Sequence, residues 1–372
     1  MHVVILNQYV PPDLSPTAKL VGDLADGLRG DGHRVTLIGS GLDYEVRARN
    51  KAARVGRELN AHWQLFRRGV AAGPCDVVLS ASSPPGLLLT ASLLAAVRQA
   101  KSVHWALDLY PELALALGGW SVPQLLQALL FAVTRLGYRA NARTVCLDAD
   151  MRSWIRQKYG VEAEVIRPWL LQELASVDTA PLAYPPRGSF TWLYSGNLGQ
   201  AHEWETLLTA QRLLEDRHCP VTLAFQGGGA SRALAQARAA QLKLTRVVWR
   251  PYVPEAELTN TLLAAHVHVV TQKRCTRGLL WPSKLGLLVC LPRPLIFIGP
   301  EQGAIATELR AAENAGVFAP EAAEAVAEWV QHWYERWPPS PPPVLRSGWT
   351  FADAWPLWQQ LFARIAAPTV KR

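Results

Sequence analysis

Phe190-Thr191-Trp192-Leu193-Tyr194-Ser195-Gly196-Asn197-Leu198-Gly199-Gln200-Ala201-His202-Glu203-Trp204-Glu205-Thr206 sets an apolar run before a glycine turn and a helical segment. The run 190–194 reads as a buried strand. Gly196 and Gly199 allow the backbone to approach a ligand closely, and the helix start beyond them offers unpaired N–H groups to phosphate. A glycine turn of this kind is also a common tight connection, so one copy decides little. Two further segments point the same way: Phe225-Gln226-Gly227-Gly228-Gly229 is again a strand ending in glycines, and Leu280-Trp281-Pro282-Ser283-Lys284-Leu285 brings a lysine to a helix start.

Working outward, strand and helix patterns alternate through 191–298, with strands at Thr191–Ser195, Val221–Phe225, Arg246–Trp249, His266–Thr271 and Pro294–Ile298. Helical periodicity fills 203–214, 231–241, 255–264 and 284–290. The first half shows the same rhythm, with strands at Val3–Leu6, Arg34–Ile38, Asp76–Ser80, Ser102–Leu107 and Thr144–Leu147. Such alternation predicts an α/β fold of two doubly wound, Rossmann-like halves, each binding ligand at the carboxyl ends of its strands. The proline-bearing stretch 175–188 reads as a linker, and Pro338–Pro343 as a stiff spacer. The expected domains are 1–175 and 188–345, with a closing helix at 350–368 packing back on the first domain.

The 372 residues suit two cores better than one, and a charged content of 18% argues against disorder. Five cysteines, widely spaced and without a C-x2-C pair, indicate neither a disulfide framework nor a zinc knuckle, which fits a reducing cytoplasm. No signal peptide is read at Met1–Leu6, and the apolar windows 84–97 and 122–133 fall short of the ~20 residues a membrane-spanning helix needs. A net charge of +8 favours an anionic partner. Nucleic acid is disfavoured because the arginines are scattered and no recognition motif is present.

Several short motifs, in order over residues 3–320, resemble glycosyltransferase family 4 of the GT-B fold. They are Asn7-Gln8-Tyr9 with Pro11-Pro12-Asp13 and Ser15-Pro16-Thr17-Ala18; Ser82-Ser83-Pro84-Pro85; His104-Trp105 with Asp108-Leu109-Tyr110-Pro111-Glu112; Ser195-Gly196-Asn197-Leu198-Gly199 with His202; and Pro282-Ser283-Lys284-Leu285. Within that family the chain looks most like O-antigen and capsule transferases, including those moving N-acetylated amino sugars. The resemblance implies an NDP-sugar donor, foremost a UDP-sugar, held by the second domain. It also implies a lipid-linked or glycan acceptor held by the first domain, retaining transfer, and neither metal nor resident cofactor. The setting implied is cell-surface polysaccharide synthesis at the inner face of the cytoplasmic membrane. Two other classes are kept open: a non-catalytic GT-B nucleotide-binding or partner protein, and an NDP-sugar 2-epimerase.

The donor-binding residues so implied are Gly196, Asn197, Gly199, His202, Gly227, Gly228, Ser283, Lys284, Arg274 and Glu301. Asp108 and Glu112 are the catalytic candidates, and Ser15, Pro16 and Thr17 form the acceptor or cleft loop. Departures from the family pattern stand beside them. Asn197 and His202 occupy positions where Arg and Lys are common, Leu279 and Leu287 replace the paired glutamates of E-x7-E, and His266 and Pro292 replace an Asp and a Gly. Lys284 is therefore expected to be the principal phosphate cation, with Lys273, Arg274 or Arg277 assisting. Asp148-Ala149-Asp150 has the spelling of a metal motif but reads as a turn opening a helix.

Residues 45–70 alternate apolar Val46, Leu59, Trp63, Phe66 and Val70 with basic Arg47, Arg49, Lys51, Arg54, Arg57, Arg67 and Arg68. A basic amphipathic helix of this kind suits an anionic membrane surface, and equally a solvated face over the first sheet.

Overall fold

The computed structural model describes residues 1–13, 15–41, 51–118, 123–170, 185–186, 188, 190–338, 340–345 and 349–367. Val46, Arg47 and Arg49 of the basic segment, and most of the expected linker, lie outside them.

The chain divides into two compact units. The first comprises Met1–Leu171, Gly278–Trp281 and Trp349–Arg372; the second comprises Gln172–Arg277 and Pro282–Gly348. Unit one runs β1 (His2–Leu6), α1 (Pro16–Gly30), β2 (Arg34–Ile38), α2 (Lys51–Ala71), β3 (Val77–Ser80), α3 (Leu87–Arg98), β4 (Lys101–Trp105), α4 (Glu112–Ala116), α5 (Gln124–Ala140), β5 (Arg143–Cys146), α6 (Ala149–Tyr159) and β6 (Glu164–Val165). Its strands are all parallel, in the order β2-β1-β3-β4-β5-β6. Unit two runs β7 (Thr191–Ser195), α7 (Glu205–Asp216), β8 (Thr222–Gln226), α8 (Arg232–Gln241), β9 (Val247–Arg250), α9 (Glu255–Leu263), β10 (Val267–Thr271), α10 (Lys284–Leu288), β11 (Leu295–Ile298), α11 (Ala304–Leu309), β12 (Ala315–Phe318) and α12 (Ala323–Glu335); α13 (Phe351–Ala366) follows. The second sheet is also parallel, ordered β12-β11-β10-β7-β8-β9. Helices cover both sheet faces, which explains why the central strands read as continuous apolar runs instead of alternating ones.

Local chemistry sets the helix ends. Ser15 caps α1 by accepting from the Ala18 N–H at 3.2 Å, and Pro16 takes the first helical position. Asp148 caps α6 through the Met151 N–H at 2.7 Å, so the Asp148-Ala149-Asp150 segment opens a helix; Gly160, in the left-handed region, closes it. Thr350 and Asp353 form a reciprocal capping box at the start of α13.

One segment departs from the expected domain boundaries. Gly278–Trp281, expected in the second domain, belongs to unit one: Asp108 pairs with Leu280 as an antiparallel bridge, and the Leu109 N–H donates to the Leu279 carbonyl at 2.8 Å. Apolar Leu279 is buried in the core of unit one, which gives a physical reason for its replacing an acid. α13 lies in unit one, where a closing helix at 350–368 was expected, although it follows the whole of unit two in sequence. Its Trp358 is fully buried, edge-on to Trp105 with ring centroids 4.9 Å apart, while Trp105 also stacks on Trp169 at 5.6 Å. Trp358→Ala should destabilise unit one by about 3–5 kcal/mol through lost burial and a cavity. Thermal unfolding followed by circular dichroism checks this, and an unchanged transition would contradict it.

Among the described residues no helix is long and apolar enough to cross a membrane. The five cysteines form no disulfide.

Candidate functional site

In unit two, two glycine loops close against each other at the carboxyl ends of β7 and β8. The Gly196 N–H donates to the Gln226 carbonyl at 2.8 Å, Leu198 to Gly228 at 2.7 Å, and Ser231 to Leu198 at 2.9 Å. Glycine is required where they meet. A Cβ on Gly227 would lie 2.4 Å from the Gly196 oxygen and one on Gly229 2.4 Å from the Leu198 oxygen, and both residues have φ near +120 to +130° (121° and 129°). The loop also ties to β10, where the Lys273 N–H donates to the Ala201 carbonyl at 2.8 Å. β7 and β10 are neighbours at the point where the strand order reverses, which is where open α/β sheets hold ligands.

Lys284 points into this place from the first position of α10. Its Nζ lies 3.5 Å from the centre of the Tyr194 ring and 3.4 Å from the position a Gly196 side chain would occupy. The nitrogen is buried and has no hydrogen-bond partner among the described residues. Burial holds its pKa well below the usual lysine value. A buried, unpaired ammonium is costly, and a π-face offsets only part of that cost. The arrangement therefore suits an anion that would supply the missing acceptors.

His202 lies beside it. Its Nδ1 is 2.9 Å from the Thr271 carbonyl, and its ring stands edge-on to Tyr194 at 5.7 Å. A carbonyl only accepts, so Nδ1 carries the proton and Nε2 is left as an acceptor. Burial, reinforced by the Lys284 charge and opposed by the Thr271 carbonyl, lowers its pKa to about 4. A neutral ring with an accepting Nε2 suits a sugar hydroxyl better than a phosphate oxygen. Asn197 is exposed, and its carbonyl accepts from the Tyr194 hydroxyl at 2.9 Å. Tyr194, which supports both Lys284 and His202, was not singled out in the sequence; its place at the end of a strand beside the glycines was the available signal.

The expectation that the helix after Gly199 offers free N–H groups to phosphate is corrected. α7 begins at Glu205, and the Glu203 carboxylate already accepts from the N–H groups of Glu205 at 3.0 Å and Thr206 at 3.1 Å. An internal carboxylate fills the place assigned to the ligand. The other donor-side candidates spread along the same carboxyl edge. Ser283 is exposed and precedes α10; Arg274 is exposed, 3.6 Å from the Glu321 carboxylate; Glu301 is exposed beyond β11. Tyr252, also exposed, packs its ring over Gly227 and Gly228 and extends this edge with an aromatic surface. His266 serves the framework: its Nδ1 accepts from the Thr191 N–H at 3.1 Å, so Nε2 donates to the Pro186 carbonyl at 3.1 Å.

In unit one, Asp108 follows β4, with Ser82 holding the turn. The Ser82 hydroxyl accepts from the N–H groups of Leu107 at 2.8 Å and Asp108 at 3.3 Å while donating to the Trp105 carbonyl at 3.3 Å. The Asp108 side chain lines a small cavity with Ser82, His104, Tyr110, Tyr138 and residues 86–89, and burial raises its pKa to about 6. His104 lines the same cavity, bonded through Nδ1 to the Ser80 hydroxyl at 3.0 Å, and burial lowers its pKa to about 4. It is a neutral ring within the sheet.

Glu112 is placed differently. Its carboxyl is buried, accepts from the Tyr159 hydroxyl, and has burial raising its pKa to about 7; it does not line the Asp108 cavity. Ser15 and Thr17 gather at the end of β1, where Asn7 Nδ2 donates to Thr17 Oγ1 at 3.3 Å, while Pro16 opens α1. The Ser15 hydroxyl is occupied as a helix cap. The neighbouring loop is locked by Ser83 donating to Gln8 Oε1 at 2.8 Å and the Gln8 N–H donating to the Ser83 carbonyl at 2.7 Å.

No family model matches the chain. It is 28% identical over 239 residues to the "Probable glycosyltransferase WbjE" of Pseudomonas aeruginosa, a match covering 62% of this chain and 58% of that relative. Among solved structures it is similar to the sucrose-phosphate synthase of Thermosynechococcus elongatus, with 13% identity, TM-score 0.70 and coverage of 98% of this chain and 99% of that one. It is similar to Anabaena Alr3699/HepE in complex with UDP, with 12% identity, TM-score 0.67 and coverage of 98% and 100%. It is similar also to WaaG, a glycosyltransferase involved in lipopolysaccharide biosynthesis, with 15% identity, TM-score 0.61 and coverage of 98% and 95%. With two parallel six-stranded sheets wrapped by helices, the chain has the GT-B fold that these proteins share.

Proposed function

We propose that this chain is a retaining, metal-independent glycosyltransferase of the family 4 type, moving a sugar from an NDP-sugar, foremost a UDP-sugar, to a lipid-linked glycan acceptor in cell-surface polysaccharide synthesis. The observation that carries this reading is the buried Lys284 ammonium, unpartnered at the switch point of the second sheet beside the Gly196 and Gly227 loops. The similarity to a probable glycosyltransferase and to a UDP-bound GT-B structure supports it.

In this reading the glycine loops seat the diphosphate and Lys284 meets the negative charge that develops on the leaving oxygen as the glycosidic bond breaks. Such a cation does for the leaving group what a divalent metal does elsewhere, which is the basis for metal independence. His202 Nε2 accepts from a donor hydroxyl, and the Tyr252 ring offers a stacking face to the base. Asp108 accepts the proton of the acceptor hydroxyl. The protein works at the inner face of the cytoplasmic membrane, where a carrier-lipid acceptor is available.

The test is incubation of the purified protein with a panel of NDP-sugars, a prenyl-diphosphate-linked glycan and EDTA. The expected result is acceptor-dependent NDP release, a product with the donor's anomeric configuration, and no loss of rate with chelator. Nucleotide binding without any transfer would make the chain a non-catalytic GT-B protein. A sugar altered without acceptor would make it an epimerase.

A further inference from the structure

The helices on one face of the first sheet are α2, α3 and α5. Their inward residues are accounted for: Leu65, Leu87, Ala91 and Leu94 pack on Val4, Leu6 and Val78, while Tyr138 of α5 lies edge-on to His104 at 5.5 Å. Their outward residues do not look like a solvated surface. On α5, Leu125 is 85%, Leu129 58% and Leu136 67% exposed, spaced along one helical face. Leu93 of α3 is 57% exposed, and Leu59 and Trp63 of α2 are 65% and 60% exposed. Scattered single leucines need no explanation, but apolar side chains recurring at helical spacing on three adjacent helices form a patch.

Charge identifies what the patch meets. The three helices carry eight arginines and lysines against one carboxylate, Glu58, and α3 and α5 carry no acidic residue at all. Among these bases, Arg67, Arg68, Arg135 and Arg139 are exposed. An apolar face on helices rich in cations and almost without acids is complementary to a bilayer of anionic lipid: the leucines enter the acyl boundary and the guanidinium groups stay at the phosphate level. A protein partner of ordinary composition gives no reason for that one-sided charge.

We propose that the α2–α3–α5 face is a docking surface for an anionic lipid bilayer, with α5 the main inserting element. The cavity at Asp108 lies beneath the same helices, lined by Leu87, Leu88 and Leu89 of α3 and by Thr134 and Tyr138 of α5. Docking therefore presents the Asp108 cavity at the lipid surface. That second step rests on the proposed transfer to a lipid-linked acceptor; the docking itself does not.

The experiment is co-sedimentation of the full chain with phosphatidylcholine vesicles with and without half phosphatidylglycerol, alongside transfer assays with a lipid-linked acceptor and with a soluble analogue. The parent should bind the anionic vesicles at least tenfold better than the neutral ones. Leu125→Glu/Leu129→Glu/Leu136→Glu should lower that binding at least tenfold, with Leu129→Glu alone giving a partial loss should the triple variant fail to fold. Leu234→Glu, an exposed leucine of unit two, should leave binding unchanged. Unaltered vesicle binding by folded α5 variants overturns the proposal, as does equal binding to neutral lipid. A parent dimer that the α5 substitutions dissociate, with no vesicle binding, also overturns it and gives the face to a second copy. Loss of transfer to the lipid-linked acceptor with transfer to the soluble analogue retained supports both steps. Vesicle binding by a protein that transfers nothing leaves docking standing and removes the proposed function.

Discussion

Lys284→Met should weaken NDP binding and slow sugar transfer together, each by about 2–4 kcal/mol, or roughly 30- to 1000-fold, as expected when one partner of a desolvated charge pair is truncated. The methionine keeps the apolar contact with the Tyr194 ring and removes only the charge, so the fold should survive. A specific pH signature accompanies the loss. Burial lowers the Lys284 pKa in the free protein, and a bound diphosphate draws it back up. The protonated form binds the anion, so affinity should strengthen as pH falls through the lowered value, with proton uptake on binding. Isothermal titration calorimetry in buffers of different ionisation enthalpy measures that uptake, and the Met variant should lack it. Lys284→Arg should rescue only in part, because a planar fork does not fit the space of a compact ammonium between Tyr194 and Gly196. Parental affinity and transfer in the Met variant would move the phosphate contact to Lys273, Arg274 or Arg277.

Asp108→Asn should leave NDP affinity nearly intact and lower turnover by about 100- to 10,000-fold, the usual weight of a general base. Asp108 has its pKa raised to about 6 by burial, so the carboxylate dominates only above that pH. In the parent, kcat should climb through pH 6 to a plateau, falling about tenfold per unit below it; in the Asn variant this limb should vanish. The stability effect has the opposite sense. A carboxyl whose folded pKa lies above its unfolded value contributes stability at low pH and loses it as pH rises from about 4 to 6, so Asp108→Asn should stabilise the protein slightly near neutrality. A large loss of NDP affinity with normal turnover would place Asp108 on the donor side instead.

The alternation of apolar runs and helical periods in the sequence was sufficient to place the central strands of both sheets, because parallel strands buried on two faces leave unbroken Val, Ile and Leu runs. Of the four edge strands, β2 and β9 were read, while β6 and β12 were not legible. β6 is only Glu164–Val165, and β12 is Ala315–Phe318 with a glycine at its centre. The helix α12 was not read either, although Ala323, Val326, Ala327 and Val330 recur at helical spacing on its buried side. Within the site, the glycine loops and Lys284 could be found from local pattern. The Tyr194 ring beneath Lys284 and the Thr271 carbonyl that fixes the His202 tautomer could not, since both contacts depend on strands that are distant in sequence. The capping role of Glu203 shows the limit of reading a turn alone: the acid that closes the α7 terminus was present in the quoted stretch, but only its geometry reveals that it takes the place assigned to phosphate.

α13 lies beyond unit two in the chain yet fills the core of unit one. The ribosome therefore releases β1 through β6 long before the Trp358 side chain that seats against Trp105 has been made. Domains ordinarily fold in the order of their synthesis. Here unit two is the part that can finish first, while unit one waits with an apolar sheet face uncovered. Nascent chains halted before residue 350 should carry that open face, bind chaperones through it, and be cleaved by protease between β1 and β6 while unit two resists.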